Sequence, residues 1–503
     1  MGAAADHPRV GTAEGVVEGR WRAGRAEFRG VSYARSLVGG LRFAAPAPPG
    51  SWDGTRQAAE FGPVPPQSGP VQAESAHGTD WLTLNVSTPD PGAAGLPVVV
   101  WIPGGAYLTG VGSDPVYDAA RLCRAGLVVV TVNYRVGVEG FVHLAGAPAN
   151  RGLLDQIAAL EWVQRNIGRF GGDPSLVTVA GQSAGAGSVA ALLTVRSARG
   201  LFRRAVAHSV PGSHITPALA AEVAAALAGR FGVAPTVDAL SEVDPWRLAD
   251  ELTAFGADLA GDRGRWGRLA QLGVAVCPVV GTDVLPETPW SALAGGRADG
   301  VELLVGHTRD EFRLFSVMAG RYGSFTDDDA RRALDLFAPG PHGAAAYRAA
   351  SPGASASELL ESVESDALFR MPSLQLAQAN AVAGGTSYLF ELCLASTTSG
   401  GVLGACHSLD VPLAFGTLDS PTGRGVFGDV PGPAALRVSR EIGAAWARFA
   451  RTGDPGWAAY HPERRLTRVL DTESATVPYP EEVSRQIWEG QAPVPFDVAV
   501  GRG

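Results

Sequence analysis

The stretch Leu176-Val-Thr-Val-Ala-Gly-Gln-Ser-Ala-Gly-Ala-Gly-Ser-Val-Ala-Ala-Leu-Leu193 decides how the rest of the chain is read. A short β-branched run leads into Gly181-Gln-Ser183-Ala-Gly185, and helix-forming alanines follow at once. Only small residues fit around a serine where a strand turns sharply into a helix, because a larger side chain would clash as the chain doubles back. Such a turn holds the hydroxyl clear of the sheet, at the carboxyl end of a strand.

Further short apolar runs at 98–102, 127–132, 205–207, 302–305 and 387–392 read as buried strands. Between them, Leu153, Leu154, Ile157, Leu160, Val163 and Ile167 recur at helical spacing. This alternation predicts an α/β protein: a central, mostly parallel, twisted sheet with helices on both faces. Two alanine-rich stretches, 216–275 and 326–382, read as helical insertions that form a cap over the sheet. No repeat or flexible linker divides the chain, so a single domain over 1–503 is expected.

Composition removes several classes of chemistry. Hydrophobic residues make up 46% of the 503, which suits a large globular core. All 41 residues counted as Lys+Arg are arginine, so a Schiff-base lysine, a phosphate-loop lysine and a Ser–Lys dyad are excluded. The net charge of −9, without long basic runs, argues against nucleic-acid binding. Cys123, Cys277, Cys393 and Cys406 have no metal-ligand spacing and are too sparse for a disulfide scaffold. Free thiols in a cytoplasmic, reducing compartment are expected. The opening Met1–Arg9 has no apolar core and no stretch of 18 apolar residues occurs, so no membrane association is expected.

A serine hydroxyl needs a base, and the base needs an orienting carboxylate. His407 follows the 387–392 strand through a glycine-rich loop; His307 also follows a strand and is the alternative. His208 lies within a candidate strand and reads as a satisfied core residue. In Gly306-His-Thr-Arg-Asp-Glu311-Phe, Glu311 and Asp310 are adjacent candidates for the carboxylate. The order Ser183, Glu311, His407 is the one expected of an α/β-hydrolase fold. Strand 98–102 runs into Pro103-Gly-Gly-Ala-Tyr107, so the backbone N–H groups of Gly105, Ala106 and Ala184 are the candidate oxyanion hole.

These residues resemble the type-B carboxylesterases, the family of bacterial p-nitrobenzyl esterases, liver carboxylesterases and cholinesterases. Phe28-Arg-Gly-Val-Ser-Tyr-Ala34, Asn133-Tyr-Arg-Val-Gly137, Gly152-Leu-Leu-Asp-Gln156, Phe170-Gly-Gly-Asp-Pro174 and Trp446-Ala-Arg-Phe-Ala450 are similar to its internal signatures. The resemblance implies Ser183 as nucleophile, His407 as base and Glu311, rather than Asp310, as acid. It implies that Arg135 and Asp155 form a structural ion pair. Four departures stand out: Gln182 where glutamate is usual, Trp81 in place of a disulfide cysteine, Pro103 and Ala106 in the oxyanion loop, and Phe312 where glycine is common.

The expected activity is carboxylic-ester hydrolysis through an acyl-enzyme, on a neutral, largely apolar or aromatic ester, with no metal or cofactor. Activity then rises with pH as the histidine base loses its proton, around the ordinary value of about 6.5. Gln182, Tyr107, Phe141, Phe312 and Phe315 are candidate pocket residues. Alternatives on the same triad are an amide or carbamate hydrolase, or an acyl transferase or lactone-forming enzyme of secondary metabolism. A non-catalytic binding protein on this fold is a third. A monomer or weak homo-oligomer is expected.

Overall fold

The structure is a computed structural model that describes residues 7–69, 78–297 and 300–498. Six of the opening residues read for a leader therefore lie outside the described ones. Among the described residues fourteen strands run in chain order: β1 (Arg9–Gly11), β2 (Val16–Glu18), β3 (Arg20–Arg22), β4 (Arg25–Ser32), β5 (Thr55–Gln57), β6 (Thr83–Thr88) and β7 (Leu96–Ile102) come first. Then follow β8 (Val128–Val132), β9 (Gly172–Gln182), β10 (Arg204–His208), β11 (Glu302–Thr308), β12 (Ser387–Leu392), β13 (Leu466–Leu470) and β14 (Ala475–Pro478).

Eleven of them form one sheet in the order β14-β13-β12-β11-β10-β9-β7-β8-β6-β4-β3. From β13 to β8 every neighbouring pair is parallel, and the strands beyond them pair antiparallel. The six expected strands all lie in this parallel run. β1, β2 and β5 make a small separate sheet.

Both faces of the parallel run are covered, which is why its strands are apolar throughout. Successive side chains point to opposite faces: Val98, Val100 and Ile102 enter one core cluster, while Val99 and Trp101 enter the other. On the first face the helix Arg151–Asn166 buries the stripe that contains Leu153, Ile157, Leu160 and Val163. On the second, the helix Pro433–Thr452 buries Val438, Ile442, Trp446 and Phe449. Helices occupy both alanine-rich stretches, among them Pro217–Arg230, Pro245–Asp258, Asp327–Phe337 and Met371–Val382.

Arg135 and Asp155 are fully buried and bidentate, with Nε to Oδ2 at 2.8 Å and Nη2 to Oδ1 at 2.7 Å. The carboxylate also accepts the Arg135 backbone N–H, so both charges are satisfied locally. Cys123, Cys277, Cys393 and Cys406 are all free and buried. Trp81 is buried, with its indole N–H donating to the Gly78 carbonyl at 3.1 Å. Among the described residues no helix is long and apolar enough to cross a membrane.

Candidate active site

Strand order sets where the site forms. From β7 the chain goes to β8 on one side and then returns to β9 on the other, so the order reverses between β7 and β9. Loops leaving the carboxyl ends of two such strands part in opposite directions and open a crevice. The loop after β7 is Pro103–Tyr107, and the residue after β9 is Ser183.

Ser183 sits at φ 56°, ψ −128°, a backbone region that costs on the order of 1–3 kcal/mol and persists only when its surroundings enforce it. They do so on both sides: its N–H donates to the His208 carbonyl at 2.9 Å, and its carbonyl accepts the Gly187 N–H at 2.9 Å. The helix Ala184–Leu192 starts immediately after. Gly185 lets that helix lie against β7, because a Cβ there would stand 2.1 Å from the Ile102 carbonyl oxygen. In the facing loop, Gly105 has φ +127° and a Cβ would meet the Thr109 carbonyl oxygen at 2.4 Å. The backbone amides of Gly105, Ala106 and Ala184 have no protein hydrogen-bond partner among the described residues. All three residues line one cavity of about 500 Å³ together with Ser183, Gln182 and His407.

Glu311 lies just beyond β11 and is fully buried. Its Oε1 accepts the Thr308 N–H at 2.8 Å, and its Oε2 stands 2.5 Å from His407 Nδ1. An ionised carboxylate in that position accepts from Nδ1–H and fixes the tautomer, leaving the Nε2 lone pair free to accept. The hydrogen bond recorded at Nε2 is with the side-chain nitrogen of Gln182, at 3.0 Å. The imidazole packs against Phe369, with ring centroids 4.4 Å apart, and Phe315 at 5.3 Å, two rings that stack on each other at 6.1 Å.

The rival residues have other partners. Asp310 Oδ2 accepts the Ala405 N–H at 2.8 Å, and the carboxylate pairs with Arg313. His307 Nε2 lies 3.0 Å from the Tyr479 hydroxyl, and burial pushes its imidazole below the ordinary histidine value against the pull of the Glu311 charge. His208 is a satisfied core residue: Nδ1 lies 2.7 Å from Asp410 Oδ2, and the Trp446 indole N–H points at Nε2 from 3.3 Å.

Of the expected pocket residues, Gln182, Tyr107, Phe312 and Phe315 line the cavity. Phe141 does not. Its ring is buried and packs on Tyr107, with centroids 4.8 Å apart, because it belongs to the short helix Gly137–Phe141 in the core. Phe369 was not legible beforehand. It lies in a π-helical turn, Asp366–Arg370, whose extra residue per turn redirects side chains in a way no apolar periodicity reveals. Aromatic spacing alone gave no signal for it. Tyr107 carries a buried hydroxyl with no hydrogen-bond partner among the described residues, and burial pushes the phenol well above its ordinary value.

The turn that exposes Ser183, the imidazole that Glu311 holds and the backbone amides without protein partners meet at the switch point of a mostly parallel sheet, the arrangement of a serine hydrolase of the α/β-hydrolase fold. The sequence model of the carboxylesterase family matches residues 6–477. The chain is 35% identical to the para-nitrobenzyl esterase of Bacillus subtilis (strain 168) over 506 residues, covering 95% of this chain and 98% of that protein. It is 34% identical to the phenmedipham hydrolase of Pseudarthrobacter oxydans, with 93% and 96% covered. Among solved structures, the Geobacillus stearothermophilus carboxylesterase EST55 at pH 6.2 superposes with a TM-score of 0.84 at 33% identity, covering 95% of this chain and 99% of that one. The chain belongs to the carboxylesterase family and is a serine ester hydrolase.

Proposed function

We propose that Ser183 is the nucleophile, His407 the general base and Glu311 the group that orients and stabilises the imidazolium, in the hydrolysis of a neutral, largely apolar or aromatic carboxylic ester. The observation that carries this reading is the 2.5 Å contact of His407 Nδ1 with buried Glu311, on a histidine that lines the same cavity as Ser183. Ser183 Oγ attacks the ester carbonyl carbon while its proton passes to Nε2. Gly105, Ala106 and Ala184 donate N–H groups to the oxyanion. The carbon–oxygen bond to the alcohol then breaks, and the imidazolium returns its proton to the departing oxygen. Water attacks the acyl-enzyme by the same route and restores the serine.

The cavity wall supports the choice of ester. Among the described residues that line it none is a carboxylate or an arginine, and Phe312, Leu314, Phe315, Leu368 and Phe369 give it an apolar side. Gln182 contributes no charge beside the nucleophile, which disfavours a cationic alcohol. Thr253 and Leu272 from the first alanine-rich stretch and Leu368 and Phe369 from the second reach this cavity, which supports reading 216–275 and 326–382 as cap insertions on one domain spanning 1–503. Four unpaired, buried thiols support a reducing, cytoplasmic setting. We take the protein to be a monomer or weak homo-oligomer without nucleic-acid or membrane partners.

The direct test is intact mass after a fluorophosphonate. One adduct is expected, lost in Ser183→Ala, and a folded wild-type protein that takes up no adduct refutes the assignment. A panel of p-nitrophenyl esters of increasing chain length, run beside bulky aromatic esters, maps the acyl side; kcat/KM is expected to rise with apolar bulk.

A further inference from the structure

Gln182 is buried, and its side-chain nitrogen lies 3.0 Å from His407 Nε2. Because Glu311 holds Nδ1, that nitrogen carries the ring proton and Nε2 keeps its lone pair. The amide N–H of Gln182 therefore donates to the same lone pair that must take the Ser183 proton. A donor aimed there stabilises the neutral ring, whereas an imidazolium, whose Nε2 bears its own hydrogen, is met only after the amide turns its oxygen toward it. A carboxylate on the same side chain would act in the opposite sense, favouring the charged ring.

We propose that Gln182 is a positioning residue that parks His407 in its neutral, Nδ1-protonated form and thereby extends hydrolysis to lower pH than a glutamate at this place would allow. The inference rests on His407 being the base. During attack Nε2 exchanges the amide donor for the Ser183 hydroxyl, a change of hydrogen-bond partner in which no covalent bond of Gln182 takes part. The other charged or titratable groups around the ring are Glu311 with neighbouring His307, Asp310 with Arg313, Cys406 beside it, Asp410 with His208, and the Asp366–Arg370 pair of the turn that carries Phe369. All of them are unaltered by a substitution at 182. Phe315 and Phe369, the aromatic rings packed on the imidazole, bring no charge to it.

The test compares the full-length wild type with Gln182→Glu and Gln182→Met, the second keeping side-chain length without an N–H. Two quantities are followed from about pH 4 to pH 9: kcat/KM for p-nitrophenyl acetate, and the downfield proton resonance of His407 Nδ1–H. The midpoint of both is expected to rise by about one pH unit in Gln182→Glu and by about half of that in Gln182→Met. Midpoints equal to wild type in both variants overturn the proposal while the wild-type profile keeps its histidine limb. A flat wild-type kcat/KM beside a titrating resonance is a different result: it removes His407 as the base, and the proposal falls with it.

Discussion

His407 and His208 each hold a carboxylate at Nδ1, Glu311 at 2.5 Å and Asp410 at 2.7 Å, and Asp410 is only three residues along the chain from His407. Both rings also receive an N–H at Nε2, from the Gln182 amide in one case and from the Trp446 indole in the other. What differs is the space beyond. His208 is closed in by Phe390 and Trp446, with ring centroids at 4.6 and 5.3 Å, and is fully buried. His407 borders a cavity of about 500 Å³ that it shares with the strained Ser183. A carboxylate-held imidazole is thus a structural device until a nucleophile and room for substrate stand at its second nitrogen.

The contrast is most severely tested by removing the nucleophile or its base. Ser183→Ala or His407→Ala is expected to lower kcat by a factor on the order of 10⁴–10⁶ with little change in melting temperature, by analogy with serine-protease triads. Next come the two carboxylates. Glu311→Gln is expected to cost about 10⁴ in kcat through the wrong tautomer, while Asp410→Asn leaves kcat within about tenfold and lowers stability instead. Ester-hydrolysis rates beside denaturant melts separate the two, and an Asp410→Asn enzyme that is folded but as inactive as Glu311→Gln would erase the distinction.

Away from both histidines, Asp155→Ala leaves Arg135 as an uncompensated buried charge. Urea unfolding is expected to show a loss of about 3–5 kcal/mol.

A third buried acid sharpens the comparison because neither a histidine nor an arginine pairs with it among the described residues. Glu364 accepts from the Gln271 amide at 2.6 Å, its other oxygen has no partner among the described residues, and burial pushes its carboxyl up to about 8. Above the ordinary value of about 4.3 the unfolded chain has released this proton while the folded protein still holds it. Its contribution to stability is therefore complete at acid pH and is lost as pH rises toward and through 8. Glu364→Gln is expected to flatten that decline and to raise the melting temperature at pH 8 to 9 by about 2–4 °C.

How much of this was legible in the chain depended on whether the signal was local. The parallel strands announce themselves because burial on both faces makes them apolar throughout, and the elbow because few residue types survive its geometry. The outlying strands did not: β3, at the antiparallel edge of the main sheet, is Arg20-Trp-Arg22, and β5, paired parallel with β2 in the small sheet, is Thr55-Arg-Gln57, both short and exposed. Loops at the carboxyl ends of strands pointed to His407 and to Glu311 or Asp310, and the resemblance to the family chose Glu311. Neither the Gln182 amide at Nε2 nor Phe369 against the ring could be read, since one depends on a rotamer and the other on a π-helical turn between two ordinary helices.

The four thiols have a practical corollary. Burial pushes Cys123, Cys277 and Cys406 up to about 12 and raises Cys393 as well, so none offers a thiolate near neutrality. The sequence also contains no lysine. Met318 borders the cavity and is 76% exposed. A single cysteine engineered there gives maleimide chemistry one addressable side chain, and a fluorophore attached to it would report substrate entry in real time without a background from the rest of the molecule.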